Sequence, residues 1–443
     1  MLFTRQQVNK MVYPLIGQQL LSISVGIIDS MMVSTAGEAA ISGVSLIGVL
    51  NTLLMMLFSA FSSGGAIVLS LSIGTNDMDK SRNVAKQLIW SCFGVALAVS
   101  VLSVAFRIPL LDLIYGDTDA LVMQNARDYF FYLALAYPFL AVSNGIYAIF
   151  NAMGNTKVSL YNSVLANGVN IVGNAVLIYG FKMGAAGAAI ATSLSWVVSA
   201  VTMMYRIHNK NHLVYVEKIF KIKPDFNIIK NICAVGIPNG VENSMFQFGK
   251  LLTQSLVASF ALSQITANSV ANSVVTLQYG IGGAIASAMV TIVGRCIGAG
   301  EKEQAKYYSG YLLKMMYIMT IVISVLLSVF SKQIADIYNL SGETAYITMN
   351  LLIFHSISAA VVWPSSFTLP NAFRAAKDVQ FTMIISVVSM WIFRVYLSYV
   401  LGRDMGLGVM GVWYAMVCDW VFRAIIFVIR YIRGTWLKKY QGE

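Results

Sequence analysis

The chain has 443 residues, 58% hydrophobic and 11% charged, with a mean hydropathy of +0.71 and a net charge of +11. A soluble domain carries about 25% charged residues, so a deficit spread along the whole chain excludes a soluble protein or a soluble domain on one anchor. The basic residues lie in loops between apolar stretches, which points to membrane orientation rather than nucleic acid.

Residues 1–10 are polar and lead into the first apolar stretch without a cleavable signal. A helix needs about 20 apolar residues to cross the hydrocarbon. Twelve spans are predicted. They lie near 11–33, 45–73, 86–106, 128–150, 159–180 and 184–205, then near 235–257, 266–294, 308–330, 347–371, 380–401 and 408–430. The expected fold is an all-α polytopic membrane protein of two six-helix lobes. The N-lobe is 1–205, a cytoplasmic connector is 206–231 and the C-lobe is 232–443.

The two halves are related. Residues 13–74 recur as 237–298, shifted by 224 without a gap: Pro14 falls on Pro238, Thr52 on Thr276 and Gly74 on Gly298. Gly184, Gly187 and Trp196 fall on Gly408, Gly411 and Trp420 by the same shift. Six spans per half makes the repeats parallel, related by a pseudo-two-fold axis along the membrane normal, with a substrate site expected at the repeat interface.

Sidedness follows from lysine and arginine. Most of them fall in one alternating set of loops, whereas the opposite set holds only Arg107, Arg127, Lys182, Lys332 and Arg403. That asymmetry predicts a multi-pass plasma-membrane protein with both termini and the connector in the cytoplasm. The connector mixes Lys with Ile, Phe, Val and Tyr. It reads equally as an amphipathic helix on anionic lipid or as a solvated linker ended by Pro224.

Within the spans, small residues cluster at Ser62-Ser63-Gly64-Gly65 and Gly280-Ile281-Gly282-Gly283, where close helix approach is the first expectation and a hinge the second. Pro138, Pro364 and Pro370 should bend their helices, while Pro14 and Pro238 are expected in the first turn or two of theirs. The four cysteines and three histidines are scattered, so neither a disulfide framework, a metal centre nor a cofactor is expected.

Charges inside a membrane need a partner, water or a function. Asp29 stands in the first span with no cation within four residues, so it is a candidate to bind a proton or a sodium ion. Glu242 stands one turn after Pro238, where the first half has Gln18. Lys250 follows on a similar face, able to share a cavity with Glu242 or to meet another neighbour. Asp419 and Arg423, four apart, suit a structural pair. Arg394 has no local partner and is a candidate to reach a phosphate or a neighbouring acid. Asn167, Asn170 and Asn174 form one polar stripe at helical spacing, which Thr192 is placed to join.

These features together resemble the multidrug and toxic compound extrusion (MATE) family over nearly the whole chain. The likeness rests on Pro14 with Asp29, Met31 to Ser34 and Ala39 to Ile41, on the loop from Ile297 to Lys306 and its weaker copy Ser72 to Asp77, on Asn151 to Lys157, and on Asn170, Asn174, Gly180, Gly184, Gly187 and Thr192. The resemblance implies a twelve-helix, two-lobed exporter that expels cationic or amphipathic small molecules in exchange for protons or sodium by alternating access; a monomer is expected, and no clustered His/Asp/Glu or Ser/His constellation suggests an enzyme. The resemblance maps Asp29 onto the family's first-span carboxylate and Asn170 and Thr192 onto its polar network. Position 174 is Asn where the proton-coupled branch commonly has Asp, and the tenth span lacks the acid usual in the sodium-coupled branch. Both coupling ions stay open. A lipid-linked saccharide flippase of the same superfamily is the second expectation.

Overall fold

The computed structural model describes all residues except 1, 117, 218, 220–222, 341 and 439–443. Among the described residues the chain is helical throughout, without strands. The helices are α1 Arg5–Ser34, α2 Glu38–Gly74, α3 Met78–Ala105, the short α4 Arg107–Tyr115, α5 Ala120–Ala152, α6 Thr156–Asn174 and α7 Gly184–Ile207. After the connector come α8 Phe226–Ala258, α9 Leu262–Gly298, α10 Lys302–Val329, the short α11 Ser331–Ile337, α12 Gly342–Trp363, α13 Pro370–Ala375, α14 Val379–Ser389 and α15 Gly408–Arg433.

All twelve predicted spans are helical. Among the described residues, eleven helical segments are long and apolar enough to cross a membrane. The exception is α8, which is as long but carries Lys230, Glu242 and Lys250 and several amides. Large apolar side chains such as Val101, Leu102, Val172 and Val325 are exposed, as suits helices solvated by lipid tails.

The shift of 224 survives as geometry. α2 and α9 begin and end at equivalent positions, as do α3 and α10. The π-helical turn Ala175–Gly180 that extends α6 coincides with Tyr399–Asp404 beyond α14. Even the left-handed positions match. Asn76 (φ 61°) stands where the second half has Gly300 (φ 78°), and Lys182 (φ 55°) where it has Gly406 (φ 71°). The turn geometry therefore belongs to the repeat. Glycine fills it without strain, and Asn is among the residues that tolerate it best.

The prolines divide. Pro364 opens a π-helical turn, Pro364–Thr368, and Pro370 takes the first position of α13, where its missing N–H is no loss. Pro14 and Pro238, expected in first turns, lie well inside α1 and α8. The polar residues ahead of each apolar run continue the helix. A helix ends where its backbone hydrogen bonding ends, not where hydropathy changes.

The described residues form two compact units, one of Arg5–Gly240 and the other of Val241–Glu443 with Met1–Thr4; the division falls within α8. In the first unit α5 is the central helix, packed by α2, α3 and α7, while α6 bridges α1 and α7. Phe58, Phe130, Tyr137 and Phe150 fill its core. Close packing accounts for the Ser-Ser-Gly-Gly stretch. A Cβ on Gly64 would lie 2.6 Å from the Ile232 carbonyl oxygen and 2.8 Å from the Gly236 nitrogen. Asn239 Nδ2 donates to Ser63 Oγ at 2.6 Å beside that contact. Backbone cannot yield as a side-chain tip can, so Gly64→Val should destabilise the protein by about 1–3 kcal/mol. A lowered midpoint of thermal unfolding in detergent checks this, and Gly94→Val, a site with open space, is the control.

The connector packs on this unit. Among its described residues there is no helix between α7 and α8; 218 and 220–222, where the amphipathic reading is centred, lie outside the described residues. Trp90 Nε1 donates to the Ile219 carbonyl at 2.8 Å, Gln87 Nε2 to the Lys223 carbonyl at 2.8 Å, and the Arg82 guanidinium lies 4.3 Å over the Tyr215 ring. α8 starts two residues after Pro224.

In the second unit α9 packs on α10, α12 and α13, and α15 closes against the π-helical end of α14. A Cβ on Gly282 would strike the Trp363 ring, so this small-residue cluster also serves packing. Trp363 stacks on Tyr279, whose hydroxyl is 3.1 Å from His355 Nε2. His355 is fully buried against Trp413 and Trp420.

Candidate functional site

In the first unit α6 runs beside α1 on one side and α7 on the other. Asn170 and Asn174 are spaced to face both neighbours. Asn174 Nδ2 donates to Asp29 Oδ1 at 2.5 Å, and its other contact, to Asn170 Oδ1, is 3.4 Å. Asn170 Nδ2 donates to Thr192 Oγ1 at 3.1 Å. A relay of amides and a hydroxyl thus runs from α7 through α6 to the carboxylate on α1. Asn170 and Asn174 are buried and Asp29 is half-buried. Among the described residues no lysine or arginine forms an ion pair with Asp29. Asn174 Oδ1 is buried without a hydrogen-bond partner. Chemically this is a carboxylate held by neutral donors, free to take a proton or to join amide oxygens around a small cation.

Not every member of the stripe takes part. Asn167 Nδ2 bonds Ser163 Oγ on its own helix at 3.4 Å and stays out of the relay. Gln18, the counterpart of Glu242, is half-buried on α1. Deeper along α6, Asn162 Nδ2 donates to Tyr147 Oη and Ser199 Oγ, both at 2.8 Å, and its amide oxygen accepts from Thr202 Oγ1. That second amide cluster escaped sequence reading because Asn162 lies off the three-and-four spacing of the stripe.

The second unit holds another polar centre. Glu242 is buried, and Arg374 Nη2 meets its Oε1 at 2.6 Å. Arg374 Nη1 also donates to Asn371 Oδ1 at 2.8 Å. Glu242 Oε2 has no partner. The pair borders a cavity of about 160 Å³ that Asn243, Phe246, Ser366 and Arg423 also line. Lys250 is exposed on α8 and does not neutralise Glu242. The predicted spans end at 371 and resume at 380, which leaves Arg374 among the loop cations assigned to the cytoplasmic side. It stands instead on α13, one turn after Pro370, because the π-helical turn at Pro364 lets the helical path continue.

Asp419 and Arg423 form the expected pair at 2.8 Å, with side chains almost wholly excluded from solvent. Ser389 donates to Asp419 Oδ1, and Arg423 Nη2 donates to the Ser386 carbonyl at 3.1 Å. The Arg394 guanidinium lies 5.3 Å over the Phe246 ring, and Asp419 is an acid within its electrostatic reach. Among the described residues no cluster of three His, Cys, Asp or Glu residues suits a metal ion.

Comparison with known proteins agrees with the doubled helical fold. The MatE family model matches twice, over residues 14–176 and 238–400, the same shift of 224. The chain is 24% identical to "Uncharacterized transporter YisQ" of Bacillus subtilis over 96% of its length and 94% of that protein's. It is also 24% identical to "Probable multidrug resistance protein NorM" of Thermotoga maritima, over 98% and 94%. The solved structure titled "Crystal structure of MATE in the bent conformation" superposes with a TM-score of 0.90 at 19% identity, covering 98% of this chain and 96% of that one. A doubled match spanning most of the sequence, on a doubled helical fold, leaves one assignment: the chain is a multi-pass membrane protein of the MatE family.

Proposed function

We propose that this protein is a secondary active exporter that exchanges a proton or a sodium ion for amphipathic or cationic small molecules. The observation that carries the reading is Asp29, an intramembrane carboxylate held by Asn174 rather than by a cation. The multidrug names of relatives such as the Thermotoga maritima protein support the substrate class.

In this reading Asp29 binds the coupling cation within the N-lobe, 1–205. Loading changes the charge at the end of the relay and so the balance of hydrogen bonds from Asn174 through Asn170 to Thr192. The cation shifts the conformational equilibrium only by as much as it binds one state better than the other. Glu242 contributes from the C-lobe, 232–443, through its free Oε2, with Arg374 holding Oε1. Gln18, Asn167 and Lys250 belong to the polar lining rather than to the coupling step. Alternating access of the two lobes then releases the substrate outward.

The test is transport of several cationic dyes in vesicles with independently imposed proton and sodium gradients. One gradient should drive dye movement and the other should not. Movement indifferent to both gradients would refute the coupling.

A further inference from the structure

The first unit carries a groove that the relay does not use. Ile89, Trp90 and Phe93 of α3, Pro138 and Phe139 of α5, and Val201 and Met204 of α7 enclose about 440 Å³ of almost wholly apolar space. The connector closes one end, where Ile219 is buried and its carbonyl accepts from Trp90 Nε1. Met204 and His208 also border a second, polar recess of about 1030 Å³, between the ends of α6 and α7. Tyr161, Thr202, Arg206, Asn209 and His212 line that recess. Among the described residues neither space has an acidic lining residue.

We propose that the groove and the recess together bind one anionic phospholipid, with an acyl chain along Trp90 and Phe139 and the phosphate held between Lys86 and Arg206. Three observations favour this occupant. The two spaces meet at the end of a membrane-spanning helix, where tail and headgroup of a lipid part company. Arg206, in the last turn of α7, lines the recess, and Lys86 lies one helical turn before the groove residue Trp90 on α3, which brings a second cation to the groove's own helix face. The acids nearest in sequence are already engaged: Asp79 pairs with Arg82 at 3.1 Å, Asp77 accepts from the Lys80 N–H, Glu217 pairs with Lys210 at 2.6 Å, and Asp225 accepts from Asn83. Burial and the Arg206 charge hold His212 below the usual imidazole range. It therefore stays neutral at pH 7 and offers hydrogen bonds, leaving the charge to lysine and arginine. Basic pockets between membrane helices are a recognised form of headgroup site.

The experiment uses the full-length protein in detergent micelles, titrated with phospholipids whose acyl chains carry bromine, which quenches nearby tryptophan. Brominated phosphatidylglycerol should give a saturable quenching component that vanishes in Trp90→Phe. Lys86→Gln with Arg206→Gln should weaken that component about tenfold or more. Val201→Phe, at a site 59% exposed, should block it without lowering the thermal midpoint, which keeps the test valid if the tryptophan variant folds poorly. Equal quenching by brominated phosphatidylcholine or phosphatidylethanolamine, an unchanged titration in the double variant, or quenching that survives Val201→Phe would each overturn the proposal. None of these readouts depends on transport, so they stand apart from any failure of the coupling scheme.

Discussion

Cells relying on the Asp29→Asn protein should lose drug resistance to the level of cells without it, while the protein reaches the membrane in normal amount. The exchange is nearly isosteric. An Asn at 29 keeps an oxygen to accept from Asn174 Nδ2, so the contact that ties α1 to α6 survives. What disappears is the negative charge and with it the capacity to bind a cation. A neutral-for-neutral hydrogen bond contributes only about 1 kcal/mol, so folding should change little. Growth on toxic cationic dyes, with membrane fractions blotted for the protein, separates the two effects. Normal resistance in the variant would remove Asp29 from the mechanism.

The largest expected effect on stability lies in the second unit. Asp419→Leu strands the Arg423 guanidinium, which is 3% exposed, among Ser389, Ser386 and the Phe367 ring. Removing one member of a buried pair costs about 3–5 kcal/mol because the other charge stays behind without compensation. Adding Arg423→Met should recover most of that loss, since replacing a whole buried pair by apolar side chains is often neutral. Because large membrane proteins unfold irreversibly, inactivation half-life at one temperature in detergent is the appropriate comparison. If the single variant were as long-lived as the parent, the pair would not be a stabilising element. If the double variant were no better than the single, side-chain packing rather than stranded charge would explain the loss.

The fold was legible because two independent periodicities coincide. Hydropathy marked the spans, and the shift of 224 fixed their pairing without reference to structure. Helix ends were less legible. α1 and α8 run on through Arg5 to Lys10 and Phe226 to Cys233, ahead of the apolar runs that marked the spans, and this moved Pro14 and Pro238 inward. The relay was partly legible. Asn170 and Asn174 were marked by spacing, yet spacing also admitted Asn167, whose side chain turns to Ser163. Arg374 shows the opposite limit. A basic residue near a predicted span end reads as loop charge, and only the π-helical turn after Trp363 brings it to Glu242. Partners distant in sequence leave no local pattern, and the repeat gives none here because the first half has Gln18 where Glu242 stands.

The most direct test of the account is cation release by the purified protein when a cationic dye is added, followed with a pH indicator in weak buffer and with radioactive sodium. The account predicts about one proton or one sodium ion released per dye bound, and none from the Asp29→Asn protein. Equal release from both proteins, or dye binding that displaces no cation from the parent, would contradict it.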